Sequence, residues 1–222
     1  MELSRILIEH RLLIETIYLF AIVLPAFYVF LTTSKLYRFS RHRGLKYFSL
    51  AFLFFAVGYA VRFMAMLNVL YVSGNNQTLD ATFSFLVLVM EIVILMPGFF
   101  LLYSLVWRKI HTKYLIPVYL VFALAISIID FLSGSFLLMY ITQVAIFLVA
   151  SVISFKNYLA RKKPFRLTMF VIMVLFLLVW IINFIGQYTI ADSPIIRLPV
   201  YIMTVVIALS FLIIVRRLTK KF

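Results

Sequence analysis

Seven side chains carry chemistry into otherwise apolar stretches of this sequence. Arg62 lies in FFAVGYAVRFMAM, a permanent cation inside a hydrophobic run. A guanidinium donates five N–H groups and accepts nothing, so it calls for a carboxylate, an aromatic face or a ligand oxygen. Glu15, Glu91 and Asp130 offer carboxylates, while Gln143, Asn183 and Gln187 offer amides that both donate and accept. The chemistry these groups share is recognition, or the bracing of one helix on another, rather than bond-making. The nucleophilic and metal-binding repertoire is thin. The sequence has no cysteine, and its three histidines (His10, His42, His111) fall at a terminus or in polar connections. No lysine interrupts an apolar run to form a retinal Schiff base, and no glycine-rich phosphate loop appears. The expectation is a non-enzymatic protein with no cofactor and no metal.

The elements that position these groups are membrane spans. Hydrophobic residues make up 66% of the chain, charged residues 13%, and the mean hydropathy is +1.15. A soluble domain is only about half apolar. Runs of about 20 apolar residues match a hydrocarbon layer of roughly 30 Å when helical, and helices satisfy their own peptide groups in lipid. Seven such runs are read: Leu12–Ser34, Tyr47–Val72, Ala81–Val106, Leu115–Leu132, Ser133–Phe155, Leu167–Thr189 and Leu198–Val215. Only FLSGS separates the fourth from the fifth, with Ser133-Gly134-Ser135 as the turn signal. The expected fold is an all-α polytopic membrane protein, one seven-helix bundle over residues 1–222.

Charge placement supports that count. Cations crowd the first-to-second connection (Lys35, Arg38, Arg41, Arg43, Lys46), the third-to-fourth (Arg108, Lys109, Lys113) and the fifth-to-sixth (Lys156, Arg161, Lys162, Lys163, Arg166). Arg216, Arg217, Lys220 and Lys221 follow the last span. Seven spans put all of these on one face, which the positive-inside rule assigns to the cytoplasm. The amino terminus is then outside, retained rather than cleaved, and the expected location is the cell membrane. The net charge of +14 is that of a basic face beside anionic lipid, so no nucleic-acid partner is expected. Asn76-Gln77-Thr78 spells a glycosylation site in a short external loop, expected to be unused.

Depth follows from the same spans. Arg62 lies about 22 Å along its helix from the cytoplasmic start, in the outer half. In a hairpin of spans two and three about SGNNQTLD, Arg62 and Glu91 share one level, so they are the expected ion pair; spacing sets their level, not their facing. Glu15, Asp130, Gln143, Asn183 and Gln187 fall at similar heights. This one-sidedness points to a polar pocket opening outward, with a network of helix-bracing contacts as the plainer alternative. Pro97 in Met96-Pro97-Gly98 is expected to kink span three and free a carbonyl.

Two short matches share one offset. Lys35-Leu-Tyr37 corresponds to Lys156-Asn-Tyr158, and Tyr59-Ala-Val-Arg-Phe63 to Trp180-Ile-Ile-Asn-Phe184, in each case 121 residues on. That offset carries spans one to three onto five to seven and leaves span four as a linker, the plan of small repeat transporters.

The stretch RHRGLKYFSLAFLFFAVGYAVRF, Arg41 to Phe63, resembles the second span of seven-helix sensor regions that precede histidine kinases and cyclic-dinucleotide enzymes. The shared features are a basic approach with Gly44, a Phe/Leu/Ala run, then Tyr59, Ala60 and a charge at Arg62, where those regions often carry an acid. The resemblance implies a sensor or receptor-like bundle that passes its signal to a separate protein, since RRLTKKF follows the last span here. The expected function is binding of a small ligand, lipid or partner helix from the outer side. A small transporter or channel is the second reading, and an accessory subunit with a membrane-protein partner the third.

Overall fold

In lipid no water satisfies a bare peptide group, so apolar runs of this length fold as helices. The computed structural model describes residues 11–71, 77–107, 114–162, 164–189 and 194–219, and these are helical almost throughout. The helices are α1 (Arg11–Ser40), α2 (Arg43–Tyr71), α3 (Gln77–Val106), α4 (Leu115–Ser133), α5 (Leu137–Arg161), α6 (Pro164–Thr189) and α7 (Pro194–Thr219). Among the described residues, α1 to α6 contain six stretches long and apolar enough to cross a membrane. Among the described residues, the apolar stretch of α7 is the shorter Pro199–Ser210. The chain is a helical, multi-pass membrane protein. Asn76 and the cations Arg108, Lys109, Lys113, Lys163, Lys220 and Lys221 lie outside the described residues, as do His10 and His111.

Turn chemistry separates the helices where the sequence indicates. Gly134 takes a left-handed φ of 63°, and its N–H donates to Phe131 O while that of Ser135 donates to Asp130 O. These are the two closing bonds of a Schellman motif, so FLSGS is a tight helical hairpin. At the other end of the bundle Arg41 (φ 50°) and Lys162 (φ 38°) end α1 and α5 in the same conformation. Arg166 Nη1 donates to Asn157 O at 2.6 Å, tying the start of α6 to the last turns of α5. Helix α1 runs six residues beyond the expected Ser34, so Lys35 and Arg38 ride on its last turns.

The helices close into a ring. Helix α1 packs on α2, α2 on α3, α3 on α5, α5 on α6, α6 on α7, and α7 returns to α1. Helix α4 stays outside, packed among the described residues only on α3 and α5. Its Val121, Phe122, Ile129 and Leu132 are exposed, as suits side chains solvated by acyl tails and not by water. In the half towards Arg41 and Lys162 the ring is filled. Phe147 stacks on Phe176 with centroids 5.1 Å apart, and Phe52 and Phe55 meet Phe176 at 5.8 and 5.7 Å. Small residues such as Ala51 and Ala150 let the helices approach there.

Between α1 and α5, buried positions recur 121 residues apart. The buried residues of α1, Tyr18, Ile22, Pro25, Ala26, Val29 and Thr33, correspond at that offset to Met139, Gln143, Ile146, Phe147, Ala150 and Ser154 of α5, all buried as well. Phe55 and Phe176 are themselves such a pair, and their rings touch.

Candidate functional site

Where the basic half of the ring is filled, the opposite half is hollow. A cavity of about 400 Å³ lies there, lined by all six ring helices and by no residue of α4. From α1 come Glu15, Tyr18 and Leu19; from α2 Tyr59, Arg62, Phe63, Ala65 and Met66; from α3 Phe83, Val87, Met90 and Ile94. Phe136 with Met139 and Tyr140 of α5, Val179, Trp180, Asn183, Gly186 and Gln187 of α6, and Val200 and Tyr201 of α7 complete it. The lining is mostly apolar and aromatic with few polar groups, the usual make-up of a small-molecule site.

Helical phase explains who faces inward. At about 100° per residue, Tyr59, Arg62, Phe63 and Met66 fall on one face of α2. On α3, Phe83, Val87, Met90 and Ile94 recur at the same spacing. Glu91 follows Met90 and is rotated off that face, towards α4 and α5. This overturns the expected Arg62–Glu91 pair: the two share a level but not a side. The ion-pair partner of Arg62 is Glu15, with Nη2 3.8 Å from Oε2.

The surroundings of Arg62 are aromatic. Its Cζ lies 5.5 Å from the ring centroid of Tyr18 and 5.9 Å from that of Tyr59, within cation–π range. Tyr18 stacks on Tyr201 at 4.4 Å, and the Tyr201 hydroxyl donates to Glu15 Oε1. Glu15 thus braces α1 against α7 while it faces the cation of α2. At 3.8 Å the Arg62–Glu15 contact exceeds hydrogen-bond length, and among the described residues the guanidinium makes no hydrogen bond. Its side chain remains 36% exposed, and in this setting the exposed part belongs to the cavity. Asn183 donates Nδ2 to Val179 O of its own helix at 2.8 Å. Gln187 stands exposed beside it.

The other three predicted residues form a separate, buried cluster. Asp130 is 1% exposed and accepts the N–H groups of Leu138 (3.0 Å) and Met139 (2.7 Å) on its two carboxylate oxygens. It is a cap for α5 reaching across the hairpin from α4, where negative charge also suits the helix dipole. Glu91 is 1% exposed and lies close enough to Asp130 for their charges to interact. The aromatic contacts of Tyr119 with Phe99 and Tyr103 set the same antiparallel register of α3 and α4. Gln143 is fully buried and donates Nε2 to Ile94 O at 2.7 Å, in the turn of α3 that Pro97 disturbs. Helix α3 nevertheless continues through Pro97 to Val106. A Cβ at Gly98 would stand 2.5 Å from Gln143 Oε1, so only glycine lets this amide seat.

Of the expected helix braces, only the interhelical bond of Gln143 to Ile94 O takes the expected form; the polar residues divide between a cavity and a separate buried region. Arg62, Glu15, Asn183 and Gln187 line the cavity; Glu91, Asp130 and Gln143 lie outside it. Sequence reasoning passed over Tyr18, Trp180 and Tyr201. Trp180 was marked by the 121-residue match to Tyr59, whereas nothing distinguished Tyr18 or Tyr201 from the interfacial tyrosines common in such proteins. No family model, no curated protein and no solved structure matches this chain.

Proposed function

We propose that this chain crosses the cell membrane seven times, with its amino terminus outside and its basic face in the cytoplasm. In this reading it is a non-enzymatic sensor-type bundle whose cavity takes a small ligand from the outer side. One observation carries it: a cation held over two tyrosine faces in a ring cavity, with its N–H donors unspent among the described residues. A guanidinium only donates, and an oxygen-bearing ligand in the cavity is what such a group would take. The described basic residues Arg38, Arg41, Arg43, Lys46, Lys156, Lys162 and Arg166 gather at the far end of the bundle from the cavity, where they would meet anionic lipid. The test is co-purification. Mass spectrometry of wild-type protein in native membrane fragments is expected to show a specific retained small molecule that Arg62→Ala loses while melting as a folded protein. Equal retention by the variant would refute a ligand site at Arg62.

A second reading, a small transporter built from two three-helix repeats, rests on the 121-residue offset. Glu15, Tyr18, Leu19, Tyr59, Arg62, Ala65 and Met66 line the cavity, and so do their counterparts Phe136, Met139, Tyr140, Trp180, Asn183, Gly186 and Gln187. The third helices do not follow the pattern, since α3 and α7 line the cavity at unrelated positions. Cysteines introduced at Ala65 and Gly186 should react with membrane-impermeant reagents from both sides if the cavity alternates its access, and from the outer side only if it is a receptor pocket.

A further inference from the structure

We propose that the ligand is an amphiphile of no net charge, with a carbonyl-type acceptor head seated on Arg62 and an apolar body along Phe63, Phe83 and Val87. This rests on the ligand-binding reading above and narrows its chemistry. The head follows from the inventory of donors. Arg62 can only donate, and its one charged neighbour, Glu15 Oε2, stands beyond hydrogen-bond reach at 3.8 Å. The guanidinium already lies over the rings of Tyr18 and Tyr59, so a second cation there would meet it at close range. A ligand oxygen at the free guanidinium edge completes the group without displacing anything.

Neutrality follows from charge. Among the described residues, the lining contains one cation, Arg62, and one anion, Glu15, which cancel. An anionic head would leave one uncompensated negative charge at membrane depth, worth on the order of 50-fold in affinity. Glu15 cannot readily step aside, because its other oxygen accepts the Tyr201 hydroxyl. Apart from Asn183 and Gln187, the rest of the lining, from Met66 and Met90 to Trp180, is apolar or aromatic and would bury a hydrocarbon or prenyl-like body.

Trp180 provides a direct reporter, since the chain has two tryptophans and Trp107→Phe leaves it alone. The probes are a terminally brominated medium-chain fatty acid, its glycerol monoester and the alkylammonium of the same chain length, added to the full-length protein in zwitterionic nanodiscs at a pH where the acid is ionised. The monoester should quench Trp180 saturably, at a concentration tens-fold lower than either charged probe. Arg62→Gln should weaken the monoester by about tenfold. Glu15→Gln, which leaves the Arg62 charge uncompensated, should reverse the order and favour the fatty-acid anion. Wild-type protein that binds the anion or the alkylammonium as tightly as the monoester would overturn the neutral-ligand inference while keeping the site, and this comparison needs no variant to fold. Absence of saturable quenching by all three probes would overturn the cavity reading itself.

Discussion

Replacing Asp130 by alanine should loosen the α4–α5 hairpin, and the size of the effect can be worked from its contacts. Asp130 accepts the N–H of Leu138 at 3.0 Å and of Met139 at 2.7 Å. Hydrogen bonds to a charged group contribute about 1.5–3 kcal/mol each, and loss of an N-cap side chain costs about 0.5–2 kcal/mol in soluble proteins. Here the side chain is 1% exposed, so water cannot replace the missing acceptor. The expected loss is about 3 kcal/mol. Asp130→Asn, which keeps one acceptor oxygen, should lose roughly half of that. Reversible unfolding in mixed detergent micelles measures the total. Amide exchange at Leu138 and Met139 reads the cap itself and should speed up in the alanine variant before global unfolding. Because Met139 and Tyr140 line the cavity, ligand affinity should fall with the cap. The reasoning is refuted if Asp130→Ala loses less than about 1 kcal/mol and both amides remain protected.

Gly98→Ala forces its Cβ to 2.5 Å from Gln143 Oε1 and should destabilise by about 1–3 kcal/mol. Much of that penalty should vanish in a Gln143→Ala background, so a double-mutant cycle that shows no coupling would rule out the contact. Asn183→Arg introduces a second cation whose counterpart to Glu15 is Phe136, and it should cost about 3 kcal/mol or more. Adding Phe136→Glu should recover much of the loss if the two-fold relation holds, and unchanged melting of the double variant would count against it. Glu91→Gln removes one of two buried acids whose charges interact and keeps the shape, so the melting temperature should hold or rise; a loss above about 2 kcal/mol would mean that Glu91 makes a charge-dependent contact.

Legibility divides along a physical line. The FLSGS hairpin was readable because a left-handed residue after a helix favours glycine, and Gly134 obeys that local rule. The match of Tyr59-Ala-Val-Arg-Phe63 with Trp180-Ile-Ile-Asn-Phe184 was readable as well, and it marked Arg62 and Asn183, which face one cavity. The partner of Arg62 was not readable. Level is a sum of rises along two helices, whereas facing depends on the phase of each, and one residue of phase separates Met90 in the cavity from Glu91 outside it. Asp130 was placed at the right height with the wrong companions, since its partners are backbone amides that any sequence would carry.

By itself, then, the sequence determined the solvent and the local form: hydropathy is summed against lipid residue by residue, helices follow from peptide groups that lipid cannot satisfy, and turns follow from local conformational preference. Only the tertiary structure decided that α4 stands outside the ring and that Glu15, 47 positions before Arg62, is the carboxylate that faces it. Those outcomes depend on which helices are neighbours and how each is rotated about its axis, and a composition that is apolar on nearly every face leaves both open until the side chains interlock.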